Sequence, residues 1–119
     1  MAAQSDRHRA LRKGYFAEYI AAVWLTLKGY RIKALRYRTK LGEIDIIAQK
    51  GDLAVFVEVK ARKNVQSGID AVSHQSQLRI RNASDLWLSK QRQPENISQR
   101  YDIVVISPRK WPQHFPDAF

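Results

Sequence analysis

The stretch GEIDIIAQKGDLAVFVEVKAR, residues 42–62, holds two runs of strand-forming residues around a Lys-Gly turn. Ile44, Ile46, Ile47, Val55, Phe56, Val57 and Val59 are the β-branched and aromatic types that strands favour. Glu43, Asp45, Glu58 and Lys60 interrupt those runs with charge. A two-residue turn at Lys50-Gly51 would pair Gln49 with Asp52, and would set Asp45 opposite Phe56 and Glu43 opposite Glu58. Opposed residues share a face, as do residues two apart, so all four charged side chains point to one side. Asp45 and Glu58 become diagonal neighbours with Cβ atoms about 7 Å apart or less.

Carboxylates so placed repel unless a cation joins them, and each then resists ionising. Hard divalent ions take carboxylate, carbonyl and water oxygens, which makes Mg²⁺ or Mn²⁺ the expected cofactor of Asp45 and Glu58. The backbone carbonyl of Val59 is a further candidate ligand. Lys60, one pleat beyond, would hold an attacking water or neutralise phosphate charge in a transition state. The alternative is a surface hairpin with an ordinary Glu–Lys pair, but opposed Glu43 and Glu58 would weaken such a hairpin.

Outward from the hairpin, residues from about Asp6 to Lys28 recur as a helix, with Leu11, Phe16, Ile20, Val23, Trp24 and Leu27 at three- and four-residue steps and Gly29 as terminator. This helix is apolar nearly all round, so it should pack on more than one side. Between Gly14 and Leu27 the only ionisable side chain besides two tyrosines is Glu18. A carboxylate there is paired, hydrogen-bonded or lining a cleft. YRIKALRY reads as a strand, ARKNVQSG as a basic loop, and residues from about Ile69 to Gln91 as a second helix. QRQPENISQ reads as a loop and YDIVVIS as a last strand. The order is α-β-β-β-α-β, an α/β mixed sheet flanked by helices in a single domain spanning residues 1–119. Residues 1–9 are expected to be a flexible arm. Residues 108–119, aromatic and Pro-rich, either cover the sheet edge or form a partner surface. Asp102 is expected to cap a loop or pair with Arg100, and His8, His74 and His114 show no ligand spacing.

The chain has 21 basic and 11 acidic residues among 119, a net charge of +10, which points to a polyanionic partner, most simply nucleic acid. Arg36, Arg38, Lys40, Arg62, Lys63 and Arg79 lie near the acidic face in sequence and are the expected phosphate contacts. There is no cysteine, which excludes disulfides and thiolate metal sites, and no apolar run long enough to span a bilayer. A cytoplasmic protein without membrane contact is expected.

GYFAEYIAAVWLTLKGY, GEIDIIA, VFVEVKAR and RYDIVVI together resemble the bacterial YraN family, whose layout is similar to archaeal Holliday junction resolvases and restriction-endonuclease-like nucleases. The resemblance covers residues from about 10 to 107. It implies a restriction-endonuclease-like core, with Glu18, Asp45, Glu58 and Lys60 at the metal and catalytic positions and Glu43 beside them. It also implies a metal-dependent endonuclease acting on DNA, including branched DNA, and a homodimer, because resolving a junction needs two active sites. The alternative is a nucleic-acid-binding protein that keeps the nuclease-like fold without cutting. One departure is plain: relatives carry a lysine early in the second helix, where this chain has Ser76.

Overall fold

The computed structural model describes the backbone from residue 2 to residue 119 and side chains from residue 14 onward. The side chains of the expected N-terminal arm lie outside the described residues. Helix α1 (Ala2–Leu27) leads into strand β1 (Arg31–Arg38), β2 (Glu43–Lys50) and β3 (Leu53–Ala61). Helices α2 (Val65–Asp70) and α3 (His74–Ser89) then cross to β4 (Ser98–Ile106), and a short β5 (Gln113–Phe115) closes the chain. The five strands lie in the order β1-β2-β3-β4-β5, antiparallel except for the parallel pair β3–β4. A parallel pair needs a crossover, which α2 and α3 supply. The α/β layout agrees with the expected order and is consistent with a nuclease-like fold. α2 and β5 are additions to it. The basic loop after β3 holds a helical turn because Asn64 caps it, its side chain accepting from the Ser67 N–H at 2.8 Å.

β3 is the centre of the molecule, with Ala54, Val55, Phe56 and Val57 fully buried. On one face α1 packs through Ala17, Ala21 and Leu25 against Ile46, Ala48, Val55, Val57 and Val104. On the other, Ile80, Ala83 and Trp87 of α3 pack on Ile47, Phe56 and Tyr101. The buried stripe of α1 is therefore not the expected one. Ala17, Ala21 and Leu25 are inside, whereas Phe16, Val23 and Leu27 are exposed. The alanines let the helix lie close on the sheet, Leu25 fills the space beside them, and Phe16, Val23 and Leu27 face outward. α1 ends as expected: Gly29 takes φ 96°, and the Gly29 and Tyr30 N–H groups donate to the Thr26 and Leu25 carbonyls.

The hairpin register differs from the expected one by two residues. Lys50 pairs with Leu53 and Ile46 with Val57, so the turn is Gly51-Asp52, with Gly51 at φ 59°. Asp45, not Glu43, follows as the neighbour of Glu58. A shift of two leaves the faces of the paired residues unchanged, and Glu43, Asp45 and Glu58 border one cavity.

β2 does not alternate strictly. Ile46 and Ala48 pack on the α1 side, yet Ile44 packs with Ile47 on the α3 side. The strand rolls over between Ile44 and Ile46, and Asp45 sits at the roll. β1 rolls with it. Its register shifts between Ile32 and Ala34, Arg36 takes φ 50°, and Tyr37, paired with Ile44, joins the α3 side. The β2–β3 ladder stops at Ile46–Val57.

Candidate active site

Where β2 leaves β3, the Val59 N–H has no ladder partner, and the Asp45 carboxylate accepts it at 2.8 Å. That bond fixes Asp45 at the seam between the strands. Glu58, which precedes Val59 on β3, faces the same cavity as Asp45, near enough for the Asp45 charge to act on it. Both are largely desolvated, and burial is the main force raising each above its ordinary range. For Glu58, burial and then the charge of Asp45 push the carboxyl up to about 7. Lys60 partly offsets this: its ammonium lies 3.2 Å from Glu58.

Glu43, Asp45 and Glu58 border a cavity of about 60 Å³ that Ser76, Arg79 and Ile80 of α3 close from above. A single water takes about 10–15 Å³ on that measure, so the space suits a cation with part of its hydration shell. The lid is held down by a tight contact. Gly42, in the turn before β2, lies so close to α3 that a Cβ there would come within 1.9 Å of the Arg79 carbonyl oxygen. Thr39 closes that turn, its hydroxyl donating to the Gly42 carbonyl at 2.8 Å and accepting from the Leu41 and Gly42 N–H groups.

Glu18 approaches from α1. It is paired with Arg36 at 3.0 Å, and Arg36 in turn stacks 4.2 Å over the Tyr15 ring. Burial raises the Glu18 carboxyl, and Asp45 adds to the rise, so the two acids sense each other across the seam. Among the described residues no three His, Asp or Glu side chains gather round one point. The structure thus brings Asp45 and Glu58 together, sets Lys60 on Glu58, places Glu43 at the rim, and holds Glu18 within electrostatic reach but engaged by arginine. The donor set, two desolvated oxygen ligands that repel one another, fits a hard divalent cation.

The basic residues fall into distinct places. Arg38 lies 3.7 Å from Glu43 on the exposed rim, Lys40 is exposed in the following turn, and Arg79 borders the cavity. Arg62 and Lys63 are exposed just past β3, with Arg62 donating to the Ala61 carbonyl. Arg36 is committed to Glu18 and Tyr15.

A second polar cluster lies on the α1 side of β4. Asp102, fully buried, accepts both Nε and a terminal amino group of Arg100 at 2.9 and 2.8 Å, His114 Nε2 at 2.6 Å and the Asp117 N–H at 2.9 Å. Arg100 also donates to the Tyr30 hydroxyl. Burial opposes the Asp102 charge, but the bonds from His114, Arg100 and Asp117 outweigh it and hold the carboxyl below its usual range. The Arg100 pairing agrees with the reading of Asp102 as structural. The role of His114 had no signal in its spacing, because the tail reaches Asp102 only by folding back along β4.

Over residues 17–106 the chain matches the family model described as "Uncharacterised protein family UPF0102". A UPF0102 protein of Rhizobium etli (strain CIAT 652) is 64% identical over 113 residues, 95% of this chain and 93% of the relative. One from Rhizobium leguminosarum bv. trifolii (strain WSM2304) is 65% identical over the same length, again 95% and 93% of the two chains. A UPF0102 protein of Agrobacterium fabrum is 58% identical over 115 residues, 97% of this chain and 94% of the relative.

Proposed function

The chain belongs to the UPF0102 family, also called the YraN family, and from that premise we propose that it is a divalent-metal-dependent endonuclease hydrolysing DNA phosphodiester bonds, branched four-way DNA among them. The observation that carries this reading is the pair Asp45–Glu58. Two part-buried acids border one cavity, each resisting ionisation, in a chain of net charge +10. A protein that only binds a polyanion gains nothing from such a pair. A protein that needs a cation at the phosphate gains a ligand set.

In the mechanism, Asp45 and Glu58 would hold Mg²⁺ or Mn²⁺, with the Val59 carbonyl and Glu18 as the further candidate ligands. The ion, when bound, supplies Lewis-acid polarisation of the phosphoryl oxygen and a more acidic water. The Val59 N–H orients Asp45 by the bond already described. Lys60 leaves Glu58 to meet the phosphate, its Nζ donating to a non-bridging oxygen or to the attacking water. Arg79, which borders the same cavity, would meet a second phosphate oxygen. Arg38, Lys40, Arg62 and Lys63 track the backbone on either side. Cutting a junction on two strands would require two such sites, hence a homodimer.

The competing reading is a non-catalytic nucleic-acid-binding protein, favoured by the ion pairs Glu58–Lys60 and Glu18–Arg36, which satisfy both glutamates without metal. The test is cleavage of linear, flapped and four-way DNA by purified protein with Mn²⁺, beside an Asp45→Ala control and Mn²⁺ calorimetry. Metal-dependent cutting lost with Asp45 supports the enzyme. DNA binding with no cutting, and Mn²⁺ binding unchanged in Asp45→Ala, would establish the binding protein instead.

A further inference from the structure

The side of α1 turned away from the sheet is used by neither the fold nor the acid cavity. Phe16, Tyr19, Val23 and Leu27, at three- and four-residue steps, stand there with Trp111 of the tail, each between 58% and 79% exposed. Beside them Ile20, Trp24 and Pro112 line a groove of about 380 Å³ whose walls are wholly apolar. Trp111 stacks on Trp24 at 5.8 Å between ring centroids and otherwise projects into solvent. Glu18, the lone charge on this stretch of α1, turns to the opposite flank and Arg36. A helix that is apolar all round is covered on two sides in a finished structure, and among the described residues the 14–27 stretch of α1 is covered on one.

We propose that a second copy of this chain covers it, α1 packing against α1 across a two-fold axis, with Trp111 of each copy entering the groove of the other. Area is the first argument. At about 150–250 Å² for a fully exposed aromatic, the five projecting side chains offer on the order of 700 Å². A stable interface of standard size takes about 800 Å² from each partner. Shape is the second. A two-fold contact must be self-complementary, and here the projecting indole and the groove sit side by side on one face. Charge is the third. Two chains of +10 repel wherever their basic faces meet, and no charged side chain lines this groove, the nearest in the tail being Arg109 and Lys110 at its edge. The competing occupant is an anionic lipid surface, since Arg109 and Lys110 flank Trp111. The pairing rests on the proposed nuclease only for its purpose. The face itself stands on its apolarity.

Sedimentation equilibrium of the full chain, freed of nucleic acid and metal, tests this. The expected mass is twice the 13.8 kDa of the chain, retained or strengthened at high salt. Val23→Asp and Trp111→Glu should each weaken dimerisation by about 100-fold or more, as loss of a central anchor does. Their melting should remain cooperative, because both positions are on the surface. Asp45→Ala should remain dimeric, so a failure of cleavage and a failure of pairing are read separately. A monomer at every concentration overturns the proposal, as does a dimer that neither surface variant disturbs. A monomer that binds phosphatidylglycerol vesicles and loses them in Val23→Asp assigns the face to lipid and overturns it too.

Discussion

Glu58 couples the acid cavity to stability. In the unfolded chain its carboxyl ionises near 4.5, and in the fold burial and Asp45 move it to about 7. Between those two values the folded protein holds a proton that the unfolded chain has lost. Stability therefore falls as pH rises through that window, by on the order of 2–3 kcal/mol in all, and stays reduced above it. Glu58→Gln removes the penalty. In metal-free buffer the variant should melt above the parent at about pH 8 and level with it at about pH 4, as thermal scans across pH would read. Added Mn²⁺ should raise the parent and not the variant, since only the parent gains ligand-binding energy. Parallel melting curves for the two proteins would mean that Glu58 is not strained in the fold. Lys60→Ala should keep the fold and Mn²⁺ affinity yet slow cleavage about a hundredfold, an effect of about 3 kcal/mol. Equal loss of metal and cleavage in that variant would make Lys60 a structural partner of Glu58 alone. Asp102 behaves in the opposite sense. Its lowered carboxyl contributes stability that is present near neutral pH and lost in acid. Asp102→Asn should cost about 3–5 kcal/mol, because it leaves Arg100 without its charge partner. Urea unfolding at neutral pH would measure it.

At the scale of elements, the cavity depends on how closely the β1–β2 turn lies against α3. Gly42 meets the Arg79 carbonyl, a backbone atom that cannot swing aside. Gly42→Ala should therefore lift the turn from α3, at a cost of about 1–3 kcal/mol. Glu43 follows directly and Asp45 two residues later, so Mn²⁺ affinity should drop with stability. Gly14→Ala is the control, since a Cβ at Gly14 would meet nothing within 4 Å. A Gly42→Ala protein with parental melting and parental Mn²⁺ affinity would show that the contact positions nothing. The roll of β2 at Asp45 belongs to this scale as well. It opens the ladder after Ile46 and so frees the Val59 N–H for a side chain. Without the roll, Asp45 would lie flat on one face, and its carboxylate would have no backbone donor to hold it.

For the molecule as a whole, basic residues are absent from residues 14–27 of α1 and gather in β1 and the turn after it (Arg31, Lys33, Arg36, Arg38, Lys40), just past β3 (Arg62, Lys63) and on α3 (Arg79, Arg81). DNA affinity should therefore fall steeply with salt, and the slope of log affinity against log salt should shrink by about one for each phosphate contact removed. Arg38, Arg62 and Arg79 are the residues to replace together. Arg36 is not, because its loss would also release Glu18. A flat salt dependence would remove nucleic acid as the partner. No helix among the described residues is long and apolar enough to cross a membrane.

The alternation of charge and β-branched residues in 42–62 was enough to determine two strands, their common charged face and the candidate acids, because a pleat of period two puts such residues together whatever the turn. Composition determined the basic character, and the motifs determined the family. Register was beyond the sequence: both Lys50-Gly51 and Gly51-Asp52 are acceptable turns, and only packing of Ile46, Ile47 and Phe56 on two helices selects one. Which stripe of α1 is buried was equally undecided, since a helix apolar all round has no favoured side. The sheet chose Ala17, Ala21 and Ala22, whose small bulk permits close approach, together with Leu25, and left Phe16, Val23 and Leu27 outside. The His114–Asp102 contact and the roll at Asp45 are tertiary too. Each depends on segments far apart in the chain meeting along one strand, and no local pattern of residues encodes that meeting.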